Sequence, residues 1–175
     1  HKIKINLFDP DRKLWVTDLT NHQVHAFSND GEELVMSLGA GGVGDDESHF
    51  DTPFDVAFLE DGSIFVADNG NSRIVKFDAD GNFVTTWGTN GSGRGEFNFI
   101  HAVATDSIGR IYVADVDNHR VQVFDANGRY ETQWNNMHRP CALFMDSRDN
   151  DLCYVGELGP DMPVNKIWPN IGPRI

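Results

Sequence analysis

The sequence is poor in positive charge, in cysteine and in long hydrophobic runs, and each shortage narrows the range of functions. Lys and Arg total 14 against 27 Asp and Glu, which gives a formal net charge of −13. A nucleic-acid-binding surface needs clustered cations, so none is expected. Two cysteines are too few for a disulfide scaffold. No apolar run approaches the length of a transmembrane helix, so no membrane span is expected.

The chain also lacks the short motifs of several common enzyme classes. Gly-x-Ser-x-Gly, Cys-x-x-Cys and His-Glu-x-x-His are all absent. Serine hydrolase, thiol redox and zincin chemistry therefore have no support in the sequence. The Gly-rich segment 89–96 is not followed by the Lys-Ser of a phosphate-binding loop. The acids Asp45, Asp46 and Glu47 lack the ligand spacing of a calcium loop. Both segments are interpreted as solvated linkers.

Three stretches repeat one pattern: residues 14–31, 64–81 and 111–128. In each, alternating apolar residues lead to a polar corner that starts with Asp, and a second alternating run ends in a Gly turn. This pattern indicates antiparallel strands joined by tight turns. The matched residues are Asp18, Asp68 and Asp115; Asn21, Asn71 and Asn118; Phe27, Phe77 and Phe124; Gly31, Gly81 and Gly128. Several strands per unit and anchors 50 and 47 residues apart are typical of propeller blades.

The sequence therefore predicts an all-β fold in which residues 1–175 form a single, partial β-propeller. Four strands are expected in each full blade. The expected blades cover residues 1–39, 51–88 and 97–134, with an incomplete blade at 137–175. Residues 40–50 and 89–96 are expected to be surface loops between blades.

About three and a half blades do not close a ring, because propellers have four to eight. An open arc leaves a sheet edge and part of the core uncovered. The last unit is predicted to contain an irregular insertion at 159–172 and the start of a third strand at 173–175. We expect further blades of a longer protein, or association of copies, to close the ring. The first is favoured, because a natural end would not fall inside a strand.

Candidate functional residues lie where the innermost strands start, since side chains from all blades converge there on the channel. Alignment of the inner strands places Phe54, His101 and Cys141 at this channel-mouth position, and His1 is the best match in the first unit. Imidazoles from alternate blades of a six-bladed ring would converge at about 120° intervals, and three would make a zinc site with an open position. The third would lie beyond residue 175. The alternative is that the two His are unrelated residues at strand starts.

The motifs Asn-His-Gln-Val at 21–24 and Asn-His-Arg-Val at 118–121 resemble the NHL repeat. Beyond them, LWVTDLTNHQVHAF, DDESHFDTPFDVAF, NSRIVKFDADGNFVTTWG and GEFNFIHAVA resemble the catalytic core of the peptidyl-α-hydroxyglycine α-amidating lyase family, and bacterial NHL proteins like that lyase. The likeness runs from residue 1 to about 134. It implies a six-bladed NHL-type propeller that cleaves a peptidyl-α-hydroxyglycine to a peptide amide and glyoxylate.

Three histidines from alternate blades hold zinc in that family. By this resemblance His1 takes the place of the first ligand and His101 that of the second. The family also has a structural calcium bound partly by backbone carbonyls near the first zinc histidine, which implies a position near Ile3. Cys141, at the channel mouth of the fourth unit, is a further candidate metal ligand.

The chain departs from the family at two positions. The family's catalytic Tyr belongs to the corner after the Asp of the second unit, but the segment 68–73 is one residue shorter and has no Tyr. Asp51 stands where the animal enzyme has a disulfide cysteine.

Two functions remain. The first is a lyase-like zinc metalloprotein that acts on a peptide or small-molecule substrate, with calcium as a structural ion. The alternative is a non-catalytic propeller that binds a protein or small ligand on its flat face, which the missing Tyr favours. RNA binding is disfavoured by the acidic balance. The resemblance indicates a secreted or periplasmic protein.

Overall fold

The structure is a computed structural model that describes residues 1–146 and 151–159, and these form four consecutive antiparallel sheets. The first sheet contains β1 (Ile3–Ile5), β2 (Leu14–Asp18), β3 (Gln23–Phe27) and β4 (Leu34–Leu38). The second contains β5 (Pro53–Phe58), β6 (Ile64–Asp68), β7 (Arg73–Phe77) and β8 (Phe83–Trp87). Two short strands follow, β9 (Thr89–Asn90) and β10 (Glu96–Phe97). The third sheet contains β11 (Ile100–Thr105), β12 (Ile111–Asp115), β13 (Arg120–Phe124) and β14 (Tyr130–Trp134), and the fourth β15 (Pro140–Asp146) and β16 (Leu152–Glu157).

Each sheet pairs its strands in chain order, which is the blade arrangement that the sequence predicts. The hairpins between the two outer strands of the full blades turn at Gly31, Gly81 and Gly128, with φ of 79°, 82° and 82°. Glycine is favoured there because this left-handed region is strained for other residues. The three full blades and the first half of a fourth confirm the predicted all-β propeller fragment. The predicted third strand at 173–175, and the insertion from residue 160 onward, lie outside the described residues.

Neighbouring blades pack face to face through buried apolar side chains. Because side chains alternate along a strand, one face of each sheet contacts the preceding blade and the other face the next. Trp15 of the first blade lies 5.1 Å from Phe58 of the second, ring centroid to ring centroid. Trp87 of the second blade lies 5.9 Å from Phe124 of the third, ring centroid to ring centroid.

In the second and third blades, the polar corner binds the linker that precedes the blade. The Arg73 guanidinium pairs with the buried Asp68 carboxylate at 2.7 Å and donates to the carbonyl of His49 in the first linker at 2.8 Å. In the third blade Arg120 pairs in the same way with Asp115 at 2.7 Å.

The two linkers are more ordered than plain loops. Val43 forms a parallel bridge with Phe50, and β9 pairs with β10 in parallel. The arginines of the corners fix the backbone of these linkers through its carbonyl groups.

Apolar side chains remain exposed on the outermost faces of the described arc. Ile3 in the first sheet is 72% exposed, on the face turned away from the second sheet. Phe144 in the fourth sheet is 59% exposed, on the face turned away from the third. Within the described part of the chain, no helix is long and apolar enough to cross a membrane.

Candidate metal centre at the channel mouth

The inner strand of each of blades two to four carries a β-bulge at its second residue. In β5 the register skips Phe54, in β11 it skips His101, and in β15 it skips Cys141. A bulged residue is left out of the ladder, and its side chain is re-aimed out of the regular alternation. The three residues that the alignment of inner strands assigns to the channel mouth are therefore the three bulged residues of these strands.

The side chains at this position converge from successive blades. The ring centroids of His1 and His101 lie 5.2 Å apart with a T-shaped geometry, although one blade separates their strands. Phe54, from the intervening blade, lies 4.4 Å from His1 and 5.2 Å from His101. Phe99 completes the cluster at 5.3 Å from Phe54. The sequence-based expectation that the two imidazoles share one opening is met in geometry, while metal binding by them stays a prediction.

The ring nitrogens of the two histidines are in different environments. Nδ1 of His1 lies 3.1 Å from the Phe54 carbonyl oxygen, and in the tautomer that carries a proton there it donates to it, leaving the Nε2 lone pair free. Nδ1 of His101 is buried and has no hydrogen-bond partner among the described residues. A buried polar atom without a partner is rare in folded proteins and calls for an explanation, such as a ligand or an ion.

The separation of the rings fits shared coordination of one ion. A Zn–N bond is about 2 Å long, and the nitrogen lies about 1 Å from the ring centroid, so two imidazoles on a tetrahedral zinc have centroids about 5 Å apart. The 5.2 Å between His1 and His101 matches this value. The residues at hand thus fit two of the three protein ligands of a catalytic zinc site.

Burial and charge favour the metal-binding form of His101. Burial is the main effect and lowers the pKa of His101, and the nearby charge of Lys2 lowers it further, against an opposing contact with the backbone of Cys141. A lowered pKa keeps the imidazole neutral at neutral pH, and the neutral ring is the form that binds metals.

A charged network lies beside the histidines and ties three inner strands together. The ammonium of Lys4 in β1 lies 2.9 Å from the buried carboxylate of Asp55 in β5 and donates to the Val103 carbonyl in β11 at 2.9 Å. The Val103 amide donates to the same carboxylate at 3.0 Å. The sequence analysis missed this network. The alternation of the first strand, which places Lys2 and Lys4 on the same face, is the sequence feature that could have indicated it.

The remaining candidates of the sequence analysis lie at or near the mouth. Cys141 occupies the bulge of β15, and its thiol is free and 3.5 Å from the Gly156 carbonyl. Ile3 lies in β1, paired with Val16; a calcium ion at its backbone stays a prediction. Among residues 1–146 and 151–159, no group of three or more His, Cys, Asp or Glu is close enough to hold a metal ion.

The corner of the second blade, where the lyase family has its catalytic Tyr, leaves no room for a side chain at Gly70. The Gly70 amide donates to the Asp51 carbonyl at 2.8 Å. A Cβ at Gly70 would lie 2.3 Å from Cγ of Asp51, so no side chain fits there without moving that carboxylate. His22 lies beside them, with its Nδ1 accepting from the Thr52 amide at 3.0 Å. Its φ of 56° matches that of Ser72 at 52°, which agrees with its interpretation as a corner residue.

Two solved propeller structures resemble the chain in fold. A streptogramin B lyase structure matches with a TM-score of 0.65 and 15% identity over 90% of this chain and 47% of that chain. A luciferin-regenerating enzyme matches with a TM-score of 0.67 and 13% identity over 98% of this chain and 58% of that one. At such low identity the likeness supports the fold alone.

Curated relatives include a protein with the lyase name and one with a monooxygenase name. A Caenorhabditis elegans protein named "Probable peptidyl-alpha-hydroxyglycine alpha-amidating lyase pgal-1" is 50% identical over 78 residues, 43% of this chain and 22% of that protein. The Rattus norvegicus peptidylglycine alpha-amidating monooxygenase is 40% identical over 105 residues, 55% of this chain and 11% of that protein. The chain thus matches less than a quarter of the length of either relative.

The family comparison covers most of the chain. A family model described as a 6-bladed beta-propeller matches residues 43–162, which include the second and third blades and the described strands of the fourth. The match agrees with the four-stranded sheets of the second and third blades. The chain therefore belongs to the six-bladed β-propeller family.

Proposed function

We propose that this chain contributes two zinc ligands and the substrate-binding mouth of a lyase-like propeller that cleaves peptidyl-α-hydroxyglycine-type substrates to an amide and glyoxylate. The observation that carries the proposal is the convergence of His1 and His101, 5.2 Å apart, from blades that are not adjacent. The names of two relatives, from Caenorhabditis elegans and Drosophila melanogaster, give the reaction class. In a six-bladed ring a third ligand would come from a blade outside the described residues.

The reaction needs a correctly positioned substrate and two proton transfers, and it needs no covalent bond between substrate and enzyme. The hydroxyl of the substrate loses a proton, the bond between its α-carbon and the amide nitrogen breaks, and that nitrogen takes up a proton, so the products are the amide and glyoxylate. A zinc ion held by His1, His101 and a third ligand would act as a Lewis acid toward the substrate oxygen. The chain's own side chains bind the substrate: Phe54 and Phe99 shield it from water beside the imidazoles.

Metal analysis and turnover, measured on the protein at its full natural length, test this proposal together. About one zinc per chain and release of glyoxylate from a model α-hydroxyglycine peptide are expected. His101→Ala is expected to remove both, because a three-ligand site loses a third of its ligands. His49→Ala is the matched control, since the ring of this partly buried linker histidine hydrogen-bonds with Asp46 and Ser48 in its own linker. A zinc-free wild-type protein would overturn the proposal.

A second function, a metal-stabilised propeller that binds a ligand without turnover, is favoured by one observation. The corner where the family has its catalytic Tyr is closed by the contact between Gly70 and Asp51. Stoichiometric zinc that depends on His101, combined with no glyoxylate release, would support this binding module in place of the lyase.

A further inference from the structure

A cavity of about 240 Å³ lies between the first and second blades, at the ends of their inner strands. Two of its lining residues show this position: Asn6 directly follows β1, and Glu60 lies in the turn after β5. His1 and Phe54 lie at the opposite ends of the same two strands. Because residues 54 to 60 of an extended chain span about 20 Å, the cavity is separate from the channel mouth.

Apolar side chains of both blades line most of this cavity. Trp15 and Met36 of the first blade and Ile64 of the second contribute to the wall, and Trp15 and Ile64 are buried. Phe8 and Ala79 also line it and are exposed, so the cavity opens to solvent beside them. A cavity of about 150 Å³ lined by apolar side chains is large enough for benzene. The larger volume here therefore fits one ring with a short substituent.

Two lining side chains carry N–H groups that lack an acceptor. Asn6 is only 7% exposed, and its Oδ1 accepts from the Phe8 amide at 3.0 Å. Its Nδ2 has no hydrogen-bond partner among residues 1–146 and 151–159. Nε1 of Trp15 is buried and also lacks a partner in this part of the chain. Buried polar groups without partners are rare, so two beside one cavity favour a ligand that supplies an acceptor.

The charged groups at the cavity disfavour an anionic ligand. The ammonium of Lys13 is already engaged by the carboxylates of Asp9 at 2.7 Å and Asp11 at 3.5 Å. Glu60 is exposed at the cavity and forms no ion pair with any described residue. Since the protein also has a net charge of −13, the electrostatic potential around the cavity repels anions. The acceptor is therefore expected on an uncharged group.

We propose that the cavity between the first two blades binds a small, uncharged aromatic carbonyl compound. The carbonyl oxygen accepts from Nδ2 of Asn6, and the ring packs against Trp15, Met36 and Ile64. Mostly apolar walls with a few polar groups that fix orientation are the usual composition of a small-molecule site. The site involves neither of the proposed zinc ligands, so its occupancy does not depend on metal binding or turnover.

Acetophenone is a suitable probe, and ethylbenzene is the matched compound that lacks the acceptor. Titration of the protein at its full natural length, followed by nuclear magnetic resonance, should shift the indole N–H signal of Trp15, which Trp15→Phe identifies. Asn6→Asp keeps the oxygen that accepts from the Phe8 amide and removes the N–H donor. This variant should weaken acetophenone binding about fivefold, the value of one neutral hydrogen bond, and leave ethylbenzene binding unchanged. Asn127→Asp, which adds the same charge at an exposed hairpin of the third blade, is the control and should change neither affinity.

The location of the site is tested by filling the cavity from its rim. Ala79→Leu adds carbon atoms at an exposed lining position and should abolish binding of both compounds. Ala126→Leu makes the same change at the equivalent hairpin position of the third blade and should leave both affinities unchanged. Acetophenone binding that persists in Ala79→Leu, or that leaves the Trp15 signal unmoved, would overturn the site. Equal affinity of Asn6→Asp and wild type for acetophenone would refute the hydrogen bond to Asn6.

Discussion

Replacing Arg120 with alanine is expected to destabilise the third blade by about 3 kcal/mol, because it breaks a buried ion pair. The guanidinium Nε donates to the Asp115 carboxylate at 2.7 Å, and the two side chains are 6% and 0% exposed. The same group donates to the carbonyls of Gly93 and Glu96 in the linker at 2.7 and 2.8 Å. One substitution therefore leaves a buried carboxylate without its cation and releases the linker.

The environment of Asp115 places the expected cost at the lower end of the range for broken buried pairs, about 3 to 5 kcal/mol. After the change, the carboxylate still accepts from the Asn98 amide at 2.7 Å and from the Asn118 side chain at 2.9 Å. Gln122 still donates to the Glu96 carbonyl at 2.7 Å and accepts from the Gly95 amide at 3.0 Å, and Asn118 still donates to the Gly91 carbonyl at 2.8 Å, so the linker keeps these three contacts. These hydrogen-bond donors reduce the loss of stability, but they do not replace the positive charge of Arg120.

The first blade supplies a control at the same position of the repeat. Gln23 takes the place of Arg120 there, and its side chain donates to the Gly39 carbonyl at 2.9 Å. Gln23→Ala is expected to cost about 1 kcal/mol, the usual contribution of one neutral hydrogen bond. Urea unfolding gives both free energies, and hydrogen exchange of the Gly91 amide, which donates to the Phe97 carbonyl, reports release of the linker. A cost for Arg120→Ala no greater than for Gln23→Ala would refute the reasoning.

Two further predictions concern a turn and a thiol. Gly128→Ala should cost about 1–3 kcal/mol more than Gly31→Ala in urea unfolding, because both have positive φ but a Cβ at Gly128 would lie 2.5 Å from the ring of Trp87; equal costs would contradict this. Burial raises the pKa of Cys153 to about 11, so about one thiol in a thousand is ionised at pH 8. Iodoacetamide should leave Cys153 largely unmodified at pH 8 and alkylate it faster as the pH approaches 11, as mass spectrometry would show; rapid alkylation at pH 8 would contradict it.

Most of the fold could be predicted from the sequence because each blade repeats the same local rules. Alternation gave the strands, and the spacing of Asp68 and Asp115 from their arginines gave the corners. The pairing of the linkers could not be predicted in this way. It depends on carbonyl groups such as those of Gly93 and Glu96, which are bound by side chains about 25 residues away, and a backbone carbonyl has no signature in the sequence.

The candidate site could be predicted in position but not in composition. The repeat register identified Phe54, His101 and Cys141 as equivalent, and each proves to be a bulged residue. The sequence does not mark these bulges clearly, because no single residue type precedes all three bulged residues. The preceding residues are Pro53, Ile100 and Pro140.

The polar corner and the bulged position of the inner strand, which recur from blade to blade, have different consequences for function. The corner positions carry the same residue types in the second and third blades, because Asp68 and Asp115 each hold a buried arginine that fixes a linker. The bulged position differs in every blade and is released from the ladder, so its side chain can change without loss of a strand hydrogen bond. The buried ion pairs that stabilise the blades thus lie in the corners, while the proposed metal ligand His101 lies at a bulge. A substitution at His101 should therefore change ligand binding while costing less stability than Arg120→Ala, and an unfolding free energy lowered by more than that of the Arg120 variant would contradict this division.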